Sequence, residues 1–234
     1  MAKYISLLKS RSLFLTRIDL LGDPAEGRLT RKNWEHTQED PNKENLARHI
    51  SKSRKMFYAN CWHMNPVESA GMWSIYTSSD KGIAISTTAG ELKSLLRPTK
   101  QKMYYFGKVN YIDRVSEEIG TDFVFRICVS KGKYYEYENE ARIIHWLTNS
   151  YIEENSGKTI DSPYNTMEYV HGDKPTPDGV ALEIDIDRLI HKIVIAPNTP
   201  QWLYDLLISV TQVYGFDTLL TKFQWSSMKE EFFE

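Results

Sequence analysis

With 234 residues, 41% of them hydrophobic, the chain has material for one well-buried core and is too short for more than two domains, so a single domain spanning 1–234 is expected. A formal net charge of −2 argues against a surface that binds nucleic acid all over, and no apolar run approaches the roughly 20 residues of a bilayer span. Two cysteines, Cys61 and Cys128, are too few and too far apart for a disulfide framework or a zinc site, and the N-terminus MAKYISLLKSR lacks a signal peptide's apolar run, so the expected home is a reducing cytoplasm.

Residues 3–8 (KYISLL) and 12–16 (SLFLT) read as strand-like or mixed. GDPAEG at 22–27 is a turn, because Pro fixes φ and the flanking glycines tolerate positive φ; its carboxylates, Asp23 and Glu26, are suited to capping backbone amides. Residues 28–55 are polar and read as one or two helices, the better at 44–55. That stretch carries a basic run, RHISKSRK at 48–55, either a local basic patch or a solvated helix face.

The richest stretch is 57–87, FYANCWHMNPVESAGMWSIYTSSDKGIAIST. Residues 56–62 alternate and are aromatic, which predicts a strand, and 82–87 (GIAIST) predicts a second. Between them Asn65-Pro66 marks a turn, and 68–76 carries Met72, Trp73 and Tyr76 at helical spacing. Glu68 sits at the helix start, where the macrodipole favours it, and Lys81 sits at the turn into the second strand. In purely structural terms these are a helix-end charge and a solvated turn residue, with Trp62 and Trp73 in the core.

Residues 89–96 form a short amphipathic helix that ends before Pro98. Residues 102–111 predict one or two strands, and 123–130 (FVFRICVS) is drawn towards strand by its β-branched and aromatic content. In 131–146, KGKYYEYENEARIIHW, the alternation of Glu136, Glu138 and Glu140 would place all three on one face of a strand beside Arg142. Such a row of like charges needs Arg142, Lys131 or a ligand as compensation. ARIIHW at 141–146 then continues as a buried strand. Residues 149–179 are turn-rich and predict a long loop or mobile segment. Two strands follow at 180–186 and 190–196, and 200–214 is an amphipathic helix with Pro at its start and Gly215 as its stop. The expected class is α+β, with a mixed, mostly antiparallel sheet flanked by short helices.

Common nucleotide and hydrolase signatures are missing, including phosphate loops, the Rossmann fingerprint, HExxH and the nucleophile elbow. The order of the remaining segments carries more: Lys3-Tyr4, then LFLTR and GDPAEG, then CW…ES…MW…Y…KGIAIS, then K…YE-x-E-x-R, then DIDRLIHKIVIAP…W. That succession, over nearly the whole chain, resembles a widespread microbial family known only as a domain of unknown function, number two-nine-seven-one. The resemblance singles out Asp23, Pro24, Glu26, Trp62, Glu68, Ser69, Met72, Trp73, Tyr76, Lys81, Gly82, Glu138, Glu140 and Arg142. It departs at Gly22 and Ala25, where the family usually has Asn and a bulky residue.

The order of segments is also similar in outline to ADP-ribosyltransferases: an early strand, a strand followed by a Ser-containing short helix with a Tyr, and a late E-x-E segment opening a strand. That likeness implies NAD as a substrate with no tightly bound cofactor. Tyr58, Ser69 and Tyr76 would hold nicotinamide, and Trp62, Glu68 and Trp73 would line the pocket. Arg17 or Arg142 would grip the pyrophosphate, Glu140 would stabilise the ribosyl cation, and Glu138 would orient a protein or nucleic-acid acceptor, with Lys81 beside them. A toxin or defence role is the process such a family suggests. Two alternatives use the same residues differently. A metal-dependent nuclease would converge Asp23, Glu26, Glu68 and Lys81 on Mg²⁺. A non-catalytic nucleotide- or protein-binding module would stack a planar group on Trp62, Trp73 and Tyr76, with Glu68 and Lys81 as a structural pair.

Overall fold

The computed structural model describes residues 1–38, 54–77, 81–96, 104–120, 124–147, 150–152, 159–161 and 176–232. It is of the α+β class with mostly antiparallel sheets, as the segment order predicts. The chain separates into two compact units: Met1–Leu13, Asn65–Arg97 and Ala181–Glu234 make the first, and Phe14–Met64 and Pro98–Val180 the second.

In the first unit, helix α1 (Ala2–Ser10) occupies the segment expected as strand-like. Its buried residues Tyr4, Leu7 and Leu8 recur at i, i+3 and i+4, and one helical stripe satisfies all three. Tyr4 then reaches Thr211 with a 2.8 Å hydrogen bond between hydroxyls. The sheet of this unit has the order β12-β11-β3, where β3 is Ile83–Ser86, β11 is Lys192–Ile195 and β12 is Phe223–Trp225. β11 runs antiparallel to β3 and parallel to β12. The long helix (Gln201–Val213) lies where the amphipathic pattern puts it; Pro200 is its N-cap, and Gly215 just beyond its end adopts φ +78°, which a side chain would resist. The helix Ala70–Tyr76 is capped by Ser69, whose Oγ accepts from the Met72 amide, and it buries Trp73 against Val194, Ala196 and Met228.

The second unit is built on the order β10-β1-β2-β7-β4. Its strands are β1 (Ser12–Arg17), β2 (Phe57–His63), β4 (Tyr104–Lys108), β7 (Glu140–Trp146) and β10 (Gly179–Glu183), with β1 and β10 each crossing the division between units. β7 is central, antiparallel to β2 on one side and to β4 on the other. Alternation puts Phe57, Ile144 and Trp146 on one face, where they pack with Ile18, Phe125 and Cys128. Cys128 and Phe125 lie in a 3-10 segment, Val124–Val129, where β-branched and aromatic content predicted a strand; the strand β6 follows only at Ser130–Gly132 and pairs with β5 (Asn110–Ile112). Within the expected loop, β8 (Ser150–Ile152) and β9 (Thr159–Asp161) pair as a hairpin, while 153–158 and 162–175 lie outside the described residues. The expected helix at 44–55 also lies largely outside them, with a 3-10 turn, Arg54–Met56, at its end.

Candidate functional site

The predicted row of alternating glutamates is not a strand. Lys133–Glu138 winds as a 3-10 helix, Asn139 takes a left-handed φ of 40°, and β7 begins only at Glu140. This reversal swings Glu138 back towards Glu140, so the two carboxyls still meet. The compensation required by their charge is present on both counts, in Arg142 and Lys131.

Arg142 is wholly buried and uses all five of its N–H donors. Nη1 and Nη2 hold Glu26 bidentately at 2.8 and 2.7 Å, Nε and Nη2 hold Glu140 Oε2 at 2.9 and 2.6 Å, and Nη1 also donates to the Cys128 carbonyl at 2.8 Å. Lys131 Nζ binds Glu138 at 2.5 Å and lies 3.7 Å from both Glu26 and Glu140. None of these five side chains is more than 7% exposed. Three carboxyl groups therefore face two cations in a desolvated site. Burial pushes the Glu138 carboxyl up, and neither Lys131 nor its hydrogen bonding brings it back to its ordinary value. Burial also opposes ionisation of Glu140, but the Arg142 and Lys131 charges outweigh it and hold that carboxyl low. The pair thus divides into a carboxyl that burial pushes up, Glu138, and one that the two cations hold low, Glu140. The backbone around them is fastened by His63, whose Nδ1 is 2.5 Å from the Glu138 carbonyl oxygen, and by the Glu140 amide, which donates to the Tyr111 hydroxyl at 2.8 Å.

Asp23 behaves as expected of a turn carboxylate and accepts from the Ala25 amide at 2.8 Å, whereas Glu26 does not cap the backbone: it is the buried partner of Arg142. Arg17 and Tyr58 pair across β1 and β2, and Tyr58 lies opposite His145 of β7. Five residues of strand, about 17 Å, separate that row from Glu140, and the odd spacing turns the side chains to opposite faces. Arg17 is also engaged, by Asp19 at 2.6 Å and by the Thr176 carbonyl at 2.8 Å. Both residues expected to grip a pyrophosphate, Arg17 and Arg142, thus already have carboxylate partners within the protein. Trp62, half-buried on β2, lies opposite Ala141 and so points away from the Glu140 face.

Glu68, Ser69, Trp73, Tyr76 and Lys81 belong to the first unit. Glu68 is not paired with Lys81. Its carboxylate accepts from Trp73 Nε1 at 3.0 Å, Ser226 Oγ at 2.6 Å, the Ser227 amide at 2.9 Å and Ser227 Oγ at 3.1 Å. Burial opposes its ionisation, but these four donors hold it below the usual carboxylate range. Trp73 is core, Tyr76 is 61% exposed and Lys81 is exposed. The nuclease set meets a difficulty within each unit, because both oxygens of Glu26 and of Glu68 already accept protein donors. Among the described residues no group of three or more His, Cys, Asp or Glu side chains is arranged to hold a metal ion. No described helix is long and apolar enough to cross a membrane.

Lys131 and Arg142 were legible as compensating cations. Glu26, 116 residues from Arg142, was not legible as their shared counter-ion, and its place in the DP-x-E motif was the one signal pointing to it. No family model matches the chain, and no curated protein or solved structure shows a significant match to it.

Proposed function

We propose that the chain is an ADP-ribosyltransferase-like enzyme of the microbial family its motifs resemble, cleaving the nicotinamide–ribose bond of NAD, and that Glu140 is the carboxylate that stabilises the ribosyl cation. One observation carries the reading: two carboxyls, one held low by Arg142 and Lys131 and one pushed up by burial, adjoin at the start of β7, in a sheet that sets β1, β2 and β7 side by side. Those are the three strands such an enzyme needs together. In the reaction the C–N bond breaks with its electron pair leaving on neutral nicotinamide. Positive charge then develops on the ribose beside Glu140, and the acceptor forms the new bond and releases its proton to water. Glu138, adjacent, orients the acceptor.

The test is incubation of the purified chain with NAD and cell extract, with mass spectrometry for free nicotinamide and for modified macromolecules. Glu140→Gln should reduce release about 10²- to 10³-fold at unchanged circular dichroism. Wild-type protein that releases no nicotinamide above the buffer rate refutes the proposal. A second reading, a non-catalytic binding module, draws support from the 5% exposure of Glu140 and its bonds to Arg142. Under it, ligand or partner binding survives Glu140→Gln intact.

A further inference from the structure

The basic run at 48–55 ends in Arg54-Lys55, and the cluster around Arg142 does not use Arg54. Arg54 is 8% exposed, yet among the described residues no acceptor reaches its buried Nε. It lies across the GDPAEG turn. At Gly27, where φ is +65°, a Cβ would meet Arg54 Cγ at 3.2 Å, Arg54 Nε at 3.5 Å and Ile18 Cγ2 at 3.0 Å, so only glycine lets the guanidinium come this close to the backbone. Arg114 approaches the two residues that follow the turn: its Nη2 donates to the carbonyls of Arg28 and Leu29 at 2.7 and 3.2 Å, while its buried Nη1 has no partner among the described residues. Arg28 itself is exposed at the mouth of this corner.

The charges nearby do not cancel. Asp19 is held by Arg17 and Glu26 by Arg142, so of the three carboxylates that act on Arg54 only Asp23 lacks a cationic partner among the described residues. Arg54 and Arg114, each within reach of the Arg28 charge, thus share one uncommitted carboxylate. Burial, reinforced by the neighbouring Arg28 charge, pulls the pKa of both Arg54 and Arg114 below the usual arginine value in spite of the nearby carboxylates. A buried guanidinium N–H without an acceptor is costly, and an oxyanion with several lone pairs is the group that satisfies forked donors from two directions.

We infer that Arg54 and Arg114, with Arg28 at the rim, form a binding site for a phosphate or pyrophosphate group at the 22–27 turn. The site stands on these unpartnered donors and does not depend on NAD turnover; if the chain does act on NAD, this corner takes the pyrophosphate that Arg17 and Arg142 are not free to hold.

The experiment measures thermal stabilisation and calorimetric binding of the whole chain with sodium pyrophosphate, orthophosphate and ADP, against sodium chloride at equal ionic strength. Pyrophosphate should give a saturable rise in Tm that chloride does not. Arg54→Met and Arg114→Met should each weaken binding at least tenfold; Arg54→Met should do so without lowering the ligand-free Tm, because it removes an unmatched buried donor, whereas Arg114→Met also gives up the bonds to the Arg28 and Leu29 carbonyls and should lower it; Lys9→Met, on an exposed helix face, should change nothing. Arg54→Lys, which keeps the charge and loses the planar fork, should weaken binding several-fold and serves if the Met variant does not fold. A response to ADP and pyrophosphate but not to orthophosphate assigns a nucleoside diphosphate group, and the converse assigns free phosphate or a monoester. A wild-type chain with no saturable response, one that responds equally to chloride, or Arg54→Met with wild-type affinity overturns the site. No turnover is needed, so failure here leaves the nicotinamide assay standing, and failure there leaves this measurement standing.

Discussion

Replacing Arg142 by Met strikes the centre of the second unit. The guanidinium contacts two carboxylates at 2.6 to 2.9 Å. At an effective permittivity of about 20, each attraction at ~3 Å has a gross value of about 5 kcal/mol, against a desolvation penalty of several kcal/mol per ion. The variant leaves Glu26, Glu138 and Glu140 buried with Lys131 as the one cation within 4 Å of them among the described residues. Breaking a buried pair from one side costs about 3–5 kcal/mol, which for a chain of this length lowers Tm by roughly 6–20 °C. Glu138→Gln makes the contrast. Burial already opposes the charge on its carboxyl, and an amide keeps an acceptor for Lys131, so the loss should stay within about 1 kcal/mol. Urea titrations followed by tryptophan fluorescence, with m compared across variants, measure both. If Arg142→Met unfolds within 1 kcal/mol of wild type, or the two variants are indistinguishable, the picture of three carboxyls balanced on two cations is wrong.

Two further outcomes follow from the carboxylates. Glu140 and Glu68 are held below their unfolded values, so the stability they contribute is present above the unfolded carboxyl pKa of about 4.3 and is lost as pH falls through their lower folded values. Glu138 is raised and acts in reverse, with its contribution full below about pH 4.3 and lost as pH rises through its folded value. Unfolding free energies of Glu138→Gln and wild type from pH 3 to 7 should therefore converge at the acid end and diverge towards neutrality in favour of the variant; parallel curves would contradict the assignment. Glu68→Ala leaves Trp73 Nε1, Ser226 and Ser227 without their common acceptor. It should cost about 1–3 kcal/mol and speed proteolysis after Trp225, whereas an unchanged cleavage rate would mean that the carboxylate does not tie down that segment.

Where the sequence pattern was long or its end signals strong, it led to the right element. The helix ended by Gly215, the strands of GIAIST and EARIIHW, and the need for cations near the late glutamates all came from periodicity, turn chemistry and like-charge repulsion. Short segments misled. KYISLL has strand-like composition, but its three buried side chains fall on one helical stripe, and VFRICV at 124–129 folds as 3-10 turns in which Phe125 and Cys128 pack with Phe57 and Ile144. Alternation at Glu136, Glu138 and Glu140 imitated a strand, and the one sign against it was Asn139, a residue type that tolerates the left-handed backbone it adopts here. The separation of Tyr58 and Arg17 from Glu140 was beyond reach for another reason: a strand's sequence says which residues share a face, whereas the residue opposite each is set by register. The bidentate grip on Glu26 is likewise a property of the folded sheet.

The three separate stretches of the first unit bear on how the chain matures. β3 pairs with β11, which is translated only after the entire remainder of the second unit has left the ribosome, and β12 follows later still. Until then Ile83 to Ser86 present bare amides and carbonyls to any strand that passes, and a nascent chain stalled before Ala181 is a candidate for capture by chaperones or for aggregation through that edge.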